Sequence, residues 1–257
     1  MKAMILAAGF GTRLHPITQN IPKALAKIEN TTLLELLILR LKYFGFNEFV
    51  INTHHHSEQI LKFINENNYF DCSIKIIVEK EILGTGGGLQ NAADYLNNGD
   101  PFLVHNVDII SDLNYTKLIE SHQASKNLVT LCVKDRVSSR SFLVNNDDLI
   151  CGHQNSKTNV IRIKRDFDAN LRKFAFCGIH LISPQIFKLM NKDGFYSIID
   201  LYLELIEKNY SIGIFEMKNN YWKDIGRLEN LREMKNKLSD PLLRERLFPF
   251  LNEKSRL

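Results

Sequence analysis

The chain has 257 residues, 44% of them hydrophobic, enough apolar side chain to bury a full core in one large domain or two small ones. Its formal charge is only +4, from 33 Lys plus Arg against 29 Asp plus Glu, and the charges are scattered rather than gathered in runs. Such mild basicity suits small anionic substrates and argues against a nucleic-acid partner, so Arg162-Ile163-Lys164-Arg165 and the basic tail read as solvated surface.

Met1-Lys2 leads directly into the apolar run Ala3-Met4-Ile5-Leu6-Ala7-Ala8, which leaves no room for a signal peptide. That run stops at Gly9-Phe10-Gly11-Thr12 and predicts a strand buried on both faces. Leu33, Leu36, Leu37, Leu41 and Phe44 recur at helical spacing over 32–44, with Gly45 where a helix should stop. A strand is then expected over 48–52, a helix over 57–67, a strand over 73–79, a helix over 88–96, and a strand over 101–104 that ends near Asp108. Strands alternating with helices imply a parallel, doubly wound sheet whose ligands sit beyond the carboxyl ends of the strands.

From about Leu113 the pattern is less regular. Strands are expected over 128–133, 141–144 and 174–182, with a turn at Asn145-Asn146-Asp147-Asp148. Ser183-Pro184 opens a helix, and an amphipathic helix over 196–208, a strand over 212–217 and a helix over 227–238 follow. The expected fold is α/β: a doubly wound, mostly parallel, Rossmann-like sheet flanked by helices, with a smaller mixed sub-region in the C-terminal half. We read 1–239 as one domain, with halves at about 1–112 and 113–239. The tail, 240–257, carries Leu242, Leu243, Leu247, Phe248, Phe250 and Leu251, too apolar for a free end. It calls for cover by its own core or by a second copy, so the chain is a monomer or a homodimer. No apolar run approaches the roughly 20 residues of a membrane span. The four cysteines, Cys72, Cys132, Cys151 and Cys177, lack metal or redox spacing and suit a reducing cytoplasm.

The richest segment is Leu6-Ala7-Ala8-Gly9-Phe10-Gly11-Thr12-Arg13-Leu14-His15-Pro16-Ile17-Thr18, followed by Ile21-Pro22-Lys23-Ala24-Leu25. Glycines directly after a buried strand let backbone N–H groups close on phosphate oxygens, and Arg13 and Lys23 supply charge where a triphosphate would lie. It is not a Walker loop, because G-K-[ST] is missing. The string matches G-x-G-T-R-[LM]-x-P-x-T…P-K-x-L, and further strings follow in order: Gly84-Thr85-Gly86-Gly87-Gly88-Leu89, Val104-His105-Asn106-Val107-Asp108, Phe176-Cys177-Gly178-Ile179 and Tyr221-Trp222-Lys223-Asp224-Ile225-Gly226. On these motifs, over roughly 1–238, the sequence resembles the sugar-1-phosphate nucleotidyltransferase family, which implies a GT-A-like fold.

The resemblance implies transfer of a nucleoside monophosphate from an NTP to a sugar 1-phosphate, with Mg²⁺. Such a reaction needs no base to make its anionic nucleophile; it needs charge screening between two phosphates and stabilisation of the departing pyrophosphate. By similarity Asp108 and Asp224 are the metal ligands, Lys23 acts at the α-phosphate and Arg13 at the β- and γ-phosphates, so Arg13, Lys23 and Asp108 form the catalytic set. Nucleotide contacts are expected from Leu6, Ala7, Ala8, Gly9, Gly11, Thr12, Asn52, Glu79, Gly84, Thr85 and Gly86, with the glycine run as an open loop. Sugar contacts are expected from Gly87, Asn106, Gly178 and Arg172. Val107 puts a side chain where the family often has none, and the family's E-K-P string before Gly178 is absent, leaving Arg140, Lys164 or Arg172 for the acceptor phosphate. The triple glycine and W-x-D-[IV]-G look most like small N-acetylmuramate-1-phosphate uridylyltransferases, with mannose- or heptose-1-phosphate guanylyltransferases as the alternative. A catalytically silent nucleotide-sugar-binding domain is the reading from another class. His54-His55-His56 reads as a loop near the nucleotide rather than a metal site, because consecutive side chains diverge.

Overall fold

The computed structural model describes residues 1–167 and 170–251. In chain order the first elements are β1 (Lys2–Leu6), β2 (Lys27–Ile28), β3 (Thr31–Thr32), α1 (Leu33–Tyr43), β4 (Glu48–Thr53), α2 (Ser57–Glu66) and β5 (Ser73–Val78). Next come α3 (Gly84–Asn91), α4 (Ala93–Leu96), β6 (Phe102–Asn106), β7 (Ile109–Ser111), α5 (Tyr115–Ser125), β8 (Val129–Lys134), β9 (Arg140–Val144), β10 (Ile150–Asn155), β11 (Val160–Ile163) and β12 (Arg172–Ile182). The last are α6 (Ile198–Glu207), β13 (Ile212–Glu216), β14 (Trp222–Asp224), α7 (Leu228–Lys237) and α8 (Pro241–Leu247). These elements separate into two compact units that do not follow chain order: unit 1 comprises Met1–Ile82, His105–Leu113 and Asn220–Leu257, and unit 2 comprises Leu83–Val104 and Asn114–Asn219.

Unit 1 is built on β1, β4 and β5, which pair in parallel with Leu6 opposite Asn52 and Asn52 opposite Ile77. Ala3, Met4 and Ile5 are fully buried, as the unbroken apolar run predicts. Helix α1 starts at Thr32, whose Oγ1 accepts from Glu35 N at 3.1 Å, and Gly45 follows the helix at φ 84°. Leu14, Leu33, Leu36, Ile110, Ile225, Leu231 and Met234 share one core cluster with Leu247, Phe248 and Phe250. Leu243, Leu247, Phe248, Phe250 and Leu251 therefore pack on the unit's own core, whereas Leu242 stays 77% exposed; residues 252–257 lie outside the described residues. Buried Arg40 ties this packing together, donating to Leu247 O at 2.8 Å and to Leu113 O at 2.9 Å.

Unit 2 is mixed. β12 pairs antiparallel with β9 over Arg172, Lys173 and Phe174 and then with β8, and a register shift lies between Phe176 and His180. Gly178, at φ 74°, sits inside that shift, the left-handed conformation a glycine adopts without strain. β9, β10 and β11 form an antiparallel meander, while β13 pairs in parallel with β8. Helix α5 escaped the apolar pattern because its buried face is Tyr115, Leu118 and His122, the last of them polar. Among the described residues no helix is long and apolar enough to cross a membrane, and the four cysteines are free thiols.

Two predictions follow from this packing. Truncation after Ser239 removes Leu247, Phe248 and Phe250, each worth roughly 1.5–3 kcal/mol of burial against a total stability of roughly 5–15 kcal/mol for a domain. The truncated chain should unfold at a markedly lower urea midpoint or fail to accumulate; an unchanged midpoint would show that the tail packing contributes nothing. His122, between Thr130 Oγ1 at 2.8 Å and Ser183 Oγ at 3.1 Å, is pushed down by burial to about 4 from 6.5. The unfolded chain thus binds the extra proton between those values, so stability present above 6.5 should decline as pH falls toward about 4 and then level off. Comparing urea midpoints of wild type and His122→Gln across that window isolates this slope.

Candidate active site

The turn after β1 is shaped by Gly11. Its φ of 69° turns the chain, and a Cβ there would stand 3.0 Å from Lys23 Cβ and 3.2 Å from Thr18 Cγ2. Thr18 Oγ1 donates to Gly11 O at 2.7 Å, and Leu14 N donates to the same oxygen at 2.8 Å. With Leu14 fully buried, the short turn Thr12–Leu14 leaves the Arg13 side chain 52% exposed. Lys23 opens a second turn after Pro22 with Ala24 and Ala26 buried behind it, which aims its ammonium at Asp108.

Asp108 and Asp224, distant in the chain, are brought together by a short ribbon. β14 pairs antiparallel with β7 so that Asp224 faces Ile109, and Ile225 N donates to Asp108 O at 2.8 Å. The carboxylates then converge on Gly226: a Cβ at that position would lie 2.4 Å from Asp108 Oδ2, 2.8 Å from Asp224 Oδ1 and 3.0 Å from Arg13 Nη2. Gly226 N donates to Asp224 Oδ1 at 2.7 Å, Lys23 Nζ contacts Asp108 Oδ2, and Arg13 Nη1 lies 3.9 Å from Asp224 Oδ2. Burial, and then the neighbouring Asp108 carboxylate, push Asp224 above the usual carboxylate range; the Gly226 amide and Arg13 pull the other way. One buried and one partly buried carboxylate side by side call for a cation.

The donor set suits a hard one. Among the described residues no group of three or more His, Cys, Asp or Glu side chains is placed to hold a metal ion, so a metal here would have two carboxylates and would take its other ligands from water and substrate phosphate. That is how Mg²⁺ is usually held. Gly226 completes the arrangement and was not singled out from the sequence, although it closes the Tyr221-to-Gly226 string; its role depends on the convergence of three side chains from distant segments.

The other predicted residues divide by unit. Leu6, Ala7, Ala8, Gly9, Thr12 and Asn106 lie at or beyond the carboxyl ends of β1 and β6 in unit 1. Asn52 Oδ1 accepts from Ala7 N at 3.0 Å and its Nδ2 donates to Glu79 Oε1 at 2.6 Å, so this buried pair braces the start of the turn. Val107 is buried and its amide donates to Leu6 O at 3.2 Å, so its side chain joins the core. His54 Nδ1 meets Glu79 O at 2.9 Å, and the rings of His54 and His55 pack edge-on against Phe10 at 5.7 and 6.0 Å.

In unit 2 the expected open glycine loop is instead helix: Gly84, Thr85, Gly86 and Gly87 are the first residues of α3. Their glycines serve close packing within the unit. A Cβ on Gly86 would sit 2.3 Å from Tyr196 Cε2, and one on Gly87 2.2 Å from Gly194 O. Thr85 Oγ1 accepts from Ile198 N at 3.0 Å and Gly86 N donates to Tyr196 O at 3.0 Å, so the run docks the segment before α6. Arg172 is not brought to Gly178. Six residues of strand at about 3.3 Å each separate them by roughly 20 Å. Its guanidinium donates to Asn145 O at 2.6 Å and Asp148 Oδ1 at 2.7 Å, clamping the hairpin turn.

Residues 2–240 match the family model described as nucleotidyl transferase. The chain is 28% identical over 243 residues to a UTP–glucose-1-phosphate uridylyltransferase of Synechocystis, covering 89% of this chain and 61% of that protein. It is 27% identical over 230 residues to a mannose-1-phosphate guanyltransferase of Kluyveromyces lactis, covering 88% and 61%. The chain thus spans about three fifths of the length of these curated relatives. Among solved structures, HddC from Yersinia pseudotuberculosis complexed with GMP-PN has a TM-score of 0.73 at 23% identity, covering 92% of this chain and 99% of that one, and shares the fold.

Gly226→Ala tests the convergence directly. The clashing atoms are side-chain ends and Gly226 lies outside the left-handed region, so the fold should survive while the carboxylates are displaced. Mn²⁺ binding, followed by electron paramagnetic resonance, should weaken at least about tenfold, or about 1.4 kcal/mol, at an unchanged urea midpoint. Undiminished binding would place the metal elsewhere.

Proposed function

The chain belongs to the nucleotidyl transferase family, and on that premise we propose that it joins a nucleoside monophosphate, taken from an NTP, to a sugar 1-phosphate, releasing pyrophosphate. The observation that carries this reading is the convergence of Asp108, Asp224 and Arg13 on Gly226, with Lys23 against Asp108. A domain that only bound a nucleotide sugar would have no need to hold two carboxylates in mutual repulsion. The free thiols suit a reducing compartment such as the cytoplasm.

In this reading an oxygen of the sugar phosphate, already anionic near neutral pH, attacks the α-phosphorus. The bond from that phosphorus to the bridging oxygen breaks, and pyrophosphate leaves with the electron pair. Mg²⁺ held by Asp108 and Asp224 would screen the phosphates and stabilise charge on the leaving group. The turn after β1 presents backbone N–H groups to the triphosphate. Lys23, only 15% exposed at its side chain, stands beside the reacting phosphate, where negative charge accumulates. Arg13, longer and more exposed, reaches the outer phosphates. Gly178 is the proposed backbone contact for the acceptor sugar.

For the substrates we propose UTP with N-acetylmuramate 1-phosphate, supported by the triple glycine and the Trp222-to-Gly226 string. GTP with mannose or heptose 1-phosphate is the competing pair, favoured by the guanyltransferase relative. Pyrophosphate release from the four common NTPs, each with a panel of sugar 1-phosphates, decides between them. Asp108→Asn and Asp224→Asn should each lower turnover by at least about a hundredfold, or about 2.7 kcal/mol, and EDTA should do the same. Lys23→Ala should depress kcat rather than raise KM for the sugar phosphate. Wild-type turnover by either folded Asp variant would reject the proposal.

A further inference from the structure

Within unit 2, β9, β10, β11 and the start of α6 enclose a polar cavity of about 400 Å³, lined by neither Gly178 nor the glycines of α3. Strand register explains its lining. β10 pairs His153 with Arg162, and Asn155 with Arg140, and residues directly paired across strands share a face. Ser197, which caps α6, and Asp200 in its first turn close the cavity. The volume falls within the range of small-ligand pockets.

The charges around it do not cancel. Arg162 Nη1 meets Asp200 Oδ1 at 2.7 Å, while Arg140 has no carboxylate partner among the described residues. His153 is 8% exposed, and burial, followed by Arg162 and Arg140, holds its imidazole below the ordinary histidine range. Near neutral pH the cavity therefore carries two guanidiniums, one carboxylate and a neutral imidazole. The helix end adds no free donors: Ile198 N donates to Thr85 Oγ1 at 3.0 Å, Ile199 N to Ser197 Oγ at 3.2 Å and Asp200 N to Ser197 O at 3.1 Å. Any anion must be taken by the arginines. A bare inorganic anion would leave the Asp200 carboxylate opposed, whereas a ligand with hydroxyls gives that carboxylate donors to accept.

We propose that this cavity binds a small sugar carrying a phosphate or carboxylate, its anionic group on Arg140 and Arg162 and its ring hydroxyls on Asp200, Asn155 and His153. The binding does not depend on nucleotidyl transfer; only the occupant's identity as acceptor rests on the function proposed above. Calorimetric titration of the full chain without nucleotide or metal tests it, with the 1-phosphates of glucose, mannose, N-acetylglucosamine and N-acetylmuramate, with glucuronate, with inorganic phosphate and with glucose. At least one sugar anion should bind at least about tenfold more tightly than glucose or phosphate, and should shift the His153 ring resonances. Arg140→Ala and Arg162→Ala should each weaken it about tenfold or more, in line with charge-assisted hydrogen bonds. No sugar anion binding, or wild-type affinity in folded Arg140→Ala, overturns the proposal. Turnover then separates the sources. A raised KM for the sugar phosphate identifies the acceptor, and an unchanged KM with loss of one bound equivalent identifies a second sugar anion. Because the titration omits NTP and metal, a failure of the transfer reaction leaves its result standing.

Discussion

Two like charges held against one glycine are the constraint on which unit 1 depends. Asp108 and Asp224 come from separate stretches of chain, and the β7–β14 ribbon with its Ile225-to-Asp108 hydrogen bond sets them side by side. The ribbon is short and would not persist alone. It is anchored because Ile110 and Ile225, next to the carboxylates, are buried in the same cluster as Leu231, Met234 and the tail's Leu247, Phe248 and Phe250. Apolar burial remote from the chemistry thus offsets the electrostatic cost of the carboxylate pair.

The cations around that pair differ in kind. Lys23 is largely buried and fixed on Asp108 by the turn after Pro22, so its charge is part of the site before any ligand arrives. Arg13 is half exposed and stands 3.9 Å from Asp224, a contact worth little in water. It is therefore free to exchange the carboxylate for a phosphate at small cost. The arrangement pairs one pre-organised charge with one adaptable charge, which suits a substrate whose outer phosphates leave as product.

Unit 2 shows a different use of polar groups. Arg172 clamps a hairpin, Thr85 caps the approach to α6, and the glycines of α3 let Gly194 and Tyr196 pack closely. Each of these residues is expected from the sequence to meet a ligand, and each makes a packing contact within the unit. By contrast, the cavity lined by Arg140, His153 and Arg162 arises from pairings between strands that mix exposed apolar and half-buried polar residues and so carried little strand pattern. Unit 2's mixed sheet is also where the sequence reading was weakest. β10, β11 and α5 carry polar residues on buried or half-buried faces, which breaks the periodicity that marks an element.

Local chemistry made much of unit 1 legible without coordinates. The apolar run of β1, and the helical spacing and Gly45 stop of α1, each follow from a few consecutive residues, because burial, helical periodicity and backbone freedom act over a few positions. The motif strings likewise brought Arg13, Lys23, Asp108 and Asp224 forward as a set. Tertiary structure alone decided what depends on meetings between distant segments: that Gly226 is the point where both carboxylates and Arg13 converge, that Asn52 and Glu79 brace the turn after β1, that Val107 points to the core, and that Arg172 lies far from Gly178. Those outcomes are set by strand register and by which side chain meets which across the fold, and no short-range pattern encodes them.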